Sequence, residues 1–161
     1  MTDIQSIYNG NYNKLFRVAM KMVGNSDSAR DIVHDVFVQF YNRETEGHLI
    51  LYPSSWLYRV VINKCMDFHK HAAKFQTIMH SDHESADDTD DLKEHRITMV
   101  QAALSSLNPH ERALMVLYSE GMSYKEIAES TGMRFSSVGK TLSRTLEKLE
   151  NELNKQKYEL Y

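Results

Sequence analysis

The spacing of apolar residues in the first half of the chain predicts three helices. Apolar positions recur every three or four residues from Ile4 to Val23, and Gly24 is suited to end that helix. A second helix begins near Ser26 and carries adjacent apolar pairs that repeat every four residues, as packing against a core requires. The third runs from Pro53, a residue favoured in the first turn, to about His71. This half contains no convincing strand pattern, and we expect an all-α fold.

The remainder of the chain predicts four further helices, the first from about Leu92 to Leu107. Asn108 is placed to cap the next helix, with Pro109 at its first position and Glu111 at its third. Gly121 follows that helix and can close it in the left-handed conformation. We expect these helices to form a compact four-helix domain.

The stretch from Ser123 to Leu149 predicts two helices joined by a tight turn. Ser123 and Glu126 can form a capping box that begins the first helix, and Gly132 supplies the left-handed residue that ends it. The second helix, from about Phe135 to Glu152, has one apolar face and a polar, cationic outer face. That outer face carries Ser136, Ser137, Lys140, Thr141, Ser143, Arg144 and Lys148.

Hydroxyls, lysine and arginine in the first exposed turns of such a helix suit contacts with phosphates and base edges. The second helix of a DNA-binding helix-turn-helix has this character. Because the pattern is short, an ordinary helical hairpin with a solvated basic face is the alternative.

The third helix indicates a different kind of nucleic-acid contact, because basic and amide groups alternate there with aromatic rings. Rings stack on unpaired bases, and cations follow the backbone of a single strand. The residues concerned are Trp56, Tyr58, Arg59, Asn63, Lys64, Phe68, Lys70 and Lys74. The alternative is that the rings belong to the core and the cations keep the surface soluble.

The net charge of −3 over 161 residues conceals an uneven distribution. Between Gln76 and His95 seven acids stand against one base, and this stretch has no apolar periodicity. Such a segment cannot bury enough surface to offset its ordering entropy, which predicts a flexible acidic linker. We therefore expect two small domains, at residues 1–75 and 96–161, joined by a linker at residues 76–95.

Cysteine and histidine offer little candidate chemistry. Cys65, the single cysteine, occupies an apolar position of the third helix, which predicts a buried thiol and excludes a disulfide framework. His80, Asp82 and His83 lie close together. Without cysteine ligands or a helical pair of histidines four residues apart, we expect no metal there. A metal sensor or an enzyme that uses the histidines remains the alternative.

Catalytic and membrane-spanning motifs are not apparent in the sequence. It has no glycine-rich phosphate loop, nucleophile elbow or paired-carboxylate motif, so we expect neither a cofactor nor enzymatic activity. No apolar run approaches the length of a membrane span, and the N-terminus lacks a basic segment followed by an apolar core. We expect a cytoplasmic protein with no direct membrane insertion.

Segments from both halves, in the same order, resemble the sigma factor family of bacterial RNA polymerase, specifically its short extracytoplasmic-function (ECF) subgroup. In the first half the resemblance rests on YNKLFRVAMKMVGNSDSARDIVHDVFVQFY followed by SSWLYRVVINKCMDFHKH. In the second half it rests on LNPHERALMVLYSEGMSYKEIAESTGMRFSSVGKTLSRTLEKLENEL. Two independent matches in the right order are far more specific than a helix-turn-helix or an aromatic helix alone.

The resemblance implies that the first domain binds core RNA polymerase and then recognises and melts the minus-ten promoter element. The implied polymerase contacts, or their supports, are Asp31, His34, Asp35, Phe37 and Gln39. The implied contacts with the melted non-template strand are Trp56, Tyr58, Arg59, Asn63, Lys64 and Lys70. The loop from Glu44 to Tyr52 would supply the specificity of a pocket for an extruded base.

The second domain, by the same resemblance, reads the minus-thirty-five element as duplex DNA. The implied contacts are Arg134, Ser136, Ser137, Lys140, Thr141 and Arg144. The family also implies an anti-sigma factor as partner, which no residue identifies. The function to be expected is therefore that of a sigma factor, which directs promoter-specific transcription initiation. A stand-alone helix-turn-helix regulator that binds duplex DNA as a dimer is the alternative.

The sequence departs from the family pattern at three places. His34 and Asp35 stand where an amide or acid pair is usual, so the polymerase contact could depend on pH. Arg134 stands where a Ser-type cap is common, and Gly139 where a cation is common. A glycine here either allows close approach of the backbone to DNA or weakens the helix by roughly 1 kcal/mol relative to alanine.

Overall fold

The computed structural model describes residues 3–75 and 91–159, and within these ranges the chain forms seven helices and no strand. The helices are α1 Ile4–Val23, α2 Ser26–Thr45, α3 Pro53–Phe75, α4 Asp91–Ser105, α5 Pro109–Ser119, α6 Tyr124–Thr131 and α7 Phe135–Glu159. The all-α prediction and the four-helix second half are confirmed. None of the helices described is long and apolar enough to cross a membrane.

Local capping places the helix ends where the sequence predicts them. Gly24 and Gly132 both adopt the left-handed conformation, with φ of 75°, and end α1 and α6. At the start of α5 the Asn108 side chain accepts from the Glu111 amide at 2.9 Å, and Glu111 accepts from the Asn108 amide at 3.2 Å. A cap of this kind contributes about 1 kcal/mol to stability.

The predicted capping box at the start of α6 forms only in part. The Ser123 hydroxyl accepts from the Glu126 amide at 3.1 Å, as expected. The Glu126 carboxylate, however, accepts the Ser123 hydroxyl at 3.0 Å rather than the Ser123 amide. One orphan amide of α6 is therefore satisfied by a side chain, where the sequence predicted two.

Three helices differ from the predicted bounds: α3 continues to Phe75 and does not end near His71, α4 spans Asp91–Ser105 and not Leu92 to Leu107, and α7 is longer than predicted. α7 continues to Glu159, beyond the predicted end at Glu152, because the added residues are good helix formers without glycine or proline. Residues 91–95 were included in the predicted linker, although a helix was also predicted from about Leu92, and they form the first turns of α4, where acids interact favourably with the helix dipole. Residues 76–90 lie outside the described part of the chain, and so do His80, Asp82 and His83.

Buried apolar residues of both halves form one connected core. Its largest completely buried members are Phe40, Leu15, Met22, Leu57, Ile62, Leu114, Leu117 and Ile127. Cys65 is buried as predicted, and burial raises the pKa of its thiol to about 12. Tyr41 and Leu146 continue the apolar spacing of α2 and α7, yet both are exposed.

The two halves meet where α1 contacts α5 and where α3 contacts α5 and α6. We call this packing the closed arrangement. It brings the helix proposed for the melted strand, α3, against the first helix of the helix-turn-helix, α6.

Candidate nucleic-acid and polymerase interfaces

An open cavity of about 390 Å³ lies between the α2–α3 loop and the first turns of α3. Trp56 lines it and is held from the core side by Phe40, with 5.6 Å between ring centroids. The guanidinium carbon of Arg43 lies 6.0 Å from the centroid of the Trp56 ring. The remaining lining residues are His48, Leu49, Ile50, Leu51, Tyr52, Ser55, Arg59 and Glu129. A fixed aromatic wall beside donor groups suits a flat, polar-edged ligand such as a base.

The exposed rim of this cavity consists of loop residues that sequence reasoning named only as part of a range. Leu49, Leu51 and Tyr52 are each about three-quarters exposed, at 74%, 73% and 74%. Exposed apolar groups gathered at one rim mark a binding surface. The signal in the sequence was an apolar run, HLILY, that belongs to no amphipathic helix.

Tyr58 and Arg59, two of the predicted minus-ten residues, face the second half of the molecule. Arg59 donates from Nε and Nη2 to the Glu129 carbonyl oxygen at 3.1 and 2.9 Å. Burial raises the pKa of Tyr58, and the charge of Glu120 raises it further. In the closed arrangement these side chains are therefore engaged within the protein.

The other predicted minus-ten residues on α3 lie on different parts of its surface. Asn63 and Lys70 are exposed, while Lys64 is half-buried. Trp56 and Arg59 line the cavity. The structure thus brings two of the six predicted residues together at the cavity and leaves Asn63 and Lys70 on the solvent side.

The outer face of α7, which follows the α6–α7 turn, is exposed to solvent. Four of the predicted duplex contacts are exposed, and two are half-buried on the same helix. The exposed residues are Arg134, Ser136, Lys140 and Arg144, and the half-buried ones are Ser137 and Thr141. Phe135, which sequence reasoning did not single out, is 64% exposed at the start of α7. A ring there is suited to contact a thymine methyl group.

The predicted polymerase contacts lie on α2. Asp31, His34 and Asp35 are exposed, and Gln39 is half-buried. Phe37 is only 8% exposed. Its ring packs against Tyr8, with 4.8 Å between centroids. Phe37 therefore supports the helix from within and is not available as a contact.

Two exposed apolar side chains of α2 extend this polar surface. Val38 and Tyr41 are both exposed, and Val38 follows Asp31 and Asp35 at helical spacing. The predictions from the sequence named neither residue as a contact. The signal in the sequence was the position of Val38 seven residues after Asp31, which places both on the same face of the helix.

Charged contacts hold the closed arrangement at Glu120, at the end of α5. Arg17 donates from Nε and Nη2 to Glu120 Oε2 at 3.3 and 3.0 Å, and Lys21 Nζ lies 2.8 Å from Oε1. Burial alone would raise the pKa of Glu120, but the hydrogen bonds and charges of Arg17 and Lys21 outweigh it and leave the pKa lowered.

A second junction joins the end of α1 to α3 and α5. The Met22 carbonyl accepts from Arg112 Nη1 at 2.9 Å and also contacts His69 Nε2. The same guanidinium nitrogen lies 2.9 Å from His69 Nε2. Burial lowers the pKa of His69, and the charge of Arg112 lowers it further. In the described ranges, no group of three or more His, Cys, Asp or Glu side chains could hold a metal.

Comparisons with known proteins match both halves of the chain. The family model for Sigma-70 region 2 matches residues 7–75, and the model for Sigma-70, region 4, matches residues 97–149. Together they cover both helical halves described above. The chain belongs to the sigma-70 family, in its ECF subgroup.

Individual relatives agree with this placement. The ECF RNA polymerase sigma factor SigE of Mycolicibacterium smegmatis is 26% identical over 89% of this chain, which spans 58% of that protein's length. The RNA polymerase sigma factor YlaC of Bacillus subtilis is 25% identical over 97% of this chain and 95% of its own. The sigma factor RpoE of Bartonella quintana, solved in complex with the anti-sigma factor NepR, superimposes with a TM-score of 0.68. That match covers 96% of this chain and 98% of the other at 18% identity, and it shows a shared fold.

Proposed function

We propose that this protein is a sigma subunit that binds core RNA polymerase and directs it to specific promoters. The observation that carries the proposal is the presence, in one chain and in order, of a region 2 segment and a region 4 segment. Each segment forms its own group of helices with a distinct candidate nucleic-acid surface. The chemistry of RNA synthesis is left to the polymerase, and we place the protein in the cytoplasm, where the polymerase acts.

The second half, residues 96–161, is proposed to read the minus-thirty-five element as duplex DNA. Exposed Lys140 and Arg144 on α7 suit phosphate or guanine contacts, and the Ser136 hydroxyl suits either a phosphate or a base edge. Arg134, Ser137 and Thr141 complete the same face.

The first half, residues 1–75, is proposed to hold the melted minus-ten element. Unpaired bases gain stacking on aromatic rings, and extruded bases need a pocket with polar groups at its wall. The cavity beside Trp56 provides a ring, the guanidinium of Arg59 and the hydroxyl of Ser55. Asn63, Lys64 and Lys70 are proposed to follow the backbone of the strand along α3.

The exposed face of α2 is proposed to contact core polymerase. Asp31, Asp35 and His34 supply charge and hydrogen bonding, Gln39 an amide, and Phe37 internal support. An anti-sigma factor is proposed as a further partner, since the structurally similar Bartonella quintana protein was solved with one.

Reconstitution with sigma-free core polymerase tests the proposal. We expect the purified protein to associate with core and to support promoter-dependent transcription. Failure to associate, or tight binding to a palindromic duplex without polymerase, would contradict it. The second outcome is that of a stand-alone dimeric regulator.

Charge reversal on α2 separates polymerase binding from DNA binding. Asp35→Arg should weaken association with core by more than tenfold, because a like charge at a complementary interface costs several kcal/mol and about 1.4 kcal/mol corresponds to tenfold. Asp67→Arg, at another exposed acid, on α3, is the matched control and should leave core association unchanged. Size-exclusion or surface-binding measurements with core polymerase give the comparison.

Substitutions on α7 should have the complementary effect. Lys140→Ala or Arg144→Ala should weaken duplex recognition by the holoenzyme, by about 1–3 kcal/mol each where the contact reaches a base. Core association should not change. Lys155→Ala is the control, since Lys155 is exposed near the far end of α7 and pairs with Glu152 on the same helix. Equal loss of both activities in the α2 and α7 variants would argue against the division of labour.

A further inference from the structure

Three cations of the first half end on oxygen atoms of the second half in the closed arrangement. Arg17 and Lys21, on α1, hold the carboxylate of Glu120. Arg59, on α3, holds the carbonyl oxygen of Glu129. Since Arg17 and Lys21 are four residues apart, their side chains leave the same face of α1.

The contact at Glu120 has the chemistry of a phosphate site. The guanidinium of Arg17 presents two nitrogens to one carboxylate oxygen, and the ammonium of Lys21 lies 2.8 Å from the other. A guanidinium fork beside an ammonium also suits the two free oxygens of a phosphodiester. The Glu120 side chain is 7% exposed, whereas those of Arg17 and Lys21 are 53% and 40% exposed, so both cations still reach solvent.

This anion site lies beside residues proposed for the melted strand. The charges of Arg17 and Glu120 both act on Tyr58, which precedes Arg59 on α3. A strand that follows α3 past Arg59 would therefore pass close to Arg17. The site is therefore near Tyr58 in the first half, whereas the duplex-reading residues belong to α7 in the second half.

The closed arrangement cannot occupy both promoter elements at once. Elements near minus ten and minus thirty-five are about 85 Å apart along B-form DNA, at 3.4 Å per base pair. In the closed arrangement α3 and α6 are in direct contact. Binding to both elements requires the halves to separate, and separation takes Glu120 away from Arg17 and Lys21.

We propose that Arg17 and Lys21 form a phosphate-binding site for the single strand of promoter DNA, and that Glu120 occupies this site in the closed arrangement. The inference rests on the proposed function and adds a site to it. Glu120 and a strand phosphate compete for the same two cations, so the closed protein binds DNA weakly. The carbonyl of Glu129 withholds Arg59 in the same way.

The test measures binding of the full-length protein to a fluorescein-labelled single-stranded DNA oligonucleotide of mixed sequence, by anisotropy over a range of salt concentrations. Glu120→Gln should tighten binding by about 3- to 10-fold, because apparent affinity rises with the fraction of molecules in the binding-competent form. Glu111→Gln is the matched control. Glu111 also holds a lysine, Lys148, at 2.7 Å, but within the second half, and its substitution should leave binding unchanged.

The double variant Arg17→Ala/Lys21→Ala tests whether the two cations bind DNA themselves or only hold the protein in the closed arrangement. It also removes the Glu120 ion pairs and should open, yet it should bind the oligonucleotide more weakly than the unsubstituted protein. The slope of log affinity against log salt should fall by about 1.4, because each of the two cations that neutralises a single-strand phosphate accounts for about 0.7 of that slope. Tighter binding by this variant would overturn the proposal.

The result for Glu120→Gln and the folding of this variant also decide the outcome of the test. Unchanged or weaker binding by a folded Glu120→Gln protein would also overturn the proposal. Circular dichroism and thermal melting establish folding, and should Glu120→Gln fail to fold, the double variant decides alone. Failure of the proposed function would appear separately, as loss of core association or transcription by the unsubstituted protein.

Discussion

The role of Gly139 in α7 depends on the residue that it faces, Tyr124 of α6. A Cβ built at this position would lie 3.4 Å from Cε2 of Tyr124, an ordinary van der Waals contact. The side of Gly139 on which a side chain would project therefore faces α6. Of the two interpretations that the sequence allowed, a weakened helix agrees with this placement, and close approach of the backbone to DNA does not.

Gly139→Ala should therefore stabilise the protein by up to about 1 kcal/mol, through the higher helix propensity of alanine. Duplex binding should not change, since the added methyl group faces Tyr124. Urea unfolding measures the first effect and anisotropy the second. Gly132→Ala is the contrasting control and should destabilise, because Gly132 has φ of 75°. A loss of duplex affinity in Gly139→Ala would show that the backbone does approach DNA.

Exposure on α2 and α7 follows the helical period at most positions and could be predicted there, although Tyr41 and Leu146 depart from it. Asp31, Asp35 and Lys140 are exposed as that period requires. Phe37 fits both a core stripe and a contact surface in the sequence, and only the rings of Tyr8 and Tyr12 around it decide for the core.

At the scale of elements, the α2–α3 loop is the part least determined by local pattern. Its exposed Leu49, Leu51 and Tyr52 have no periodic partner in the sequence. Their arrangement depends on where α2 ends and where Pro53 begins α3. The helix ends themselves were predictable, because caps such as Asn108 and Gly132 act within a few residues.

Tyr52→Ser should lower the stability of the promoter complex with polymerase while leaving the fold intact. The side chain is mostly exposed, so the change in the free energy of unfolding should stay within about 0.5 kcal/mol. Permanganate reactivity of melted thymines gives the extent of promoter opening, and thermal melting gives stability. Leu92→Ser, at an equally exposed apolar residue of α4, is the control and should open promoters normally. Normal opening by Tyr52→Ser would remove the loop rim from the proposed strand surface.

At the scale of the whole molecule, the second junction of the closed arrangement contains a histidine, His69. His69 lies against the Met22 carbonyl and Arg112, and its lowered pKa means that the closed form favours the neutral ring. The ordinary pKa of histidine is 6.5. As the pH falls below that value, a separated form binds the proton first, so the closed arrangement loses stability. Above it the stabilisation is fully present.

Acidification should therefore open the molecule. Between about pH 7.5 and about pH 5.5, the radius of gyration from small-angle X-ray scattering should increase, because protonated His69 is repelled by Arg112. His69→Gln keeps a polar side chain that does not titrate and should remove the dependence. An identical pH profile for both proteins would assign the opening to other groups.

Sequence pattern alone was enough to predict the helices, most of their ends and the exposed cationic face of α7. These features depend on periodicity and capping within a few residues. Three other features depend on the tertiary fold: the pairing of Arg17 with Glu120, the pairing of Arg59 with Glu129 and the position of Trp56 at a cavity. The ion pair joins residues more than 100 positions apart, and no local pattern encodes such a partner. It exists because burying the apolar surfaces of α1 and α3 against α5 and α6 brings those side chains together.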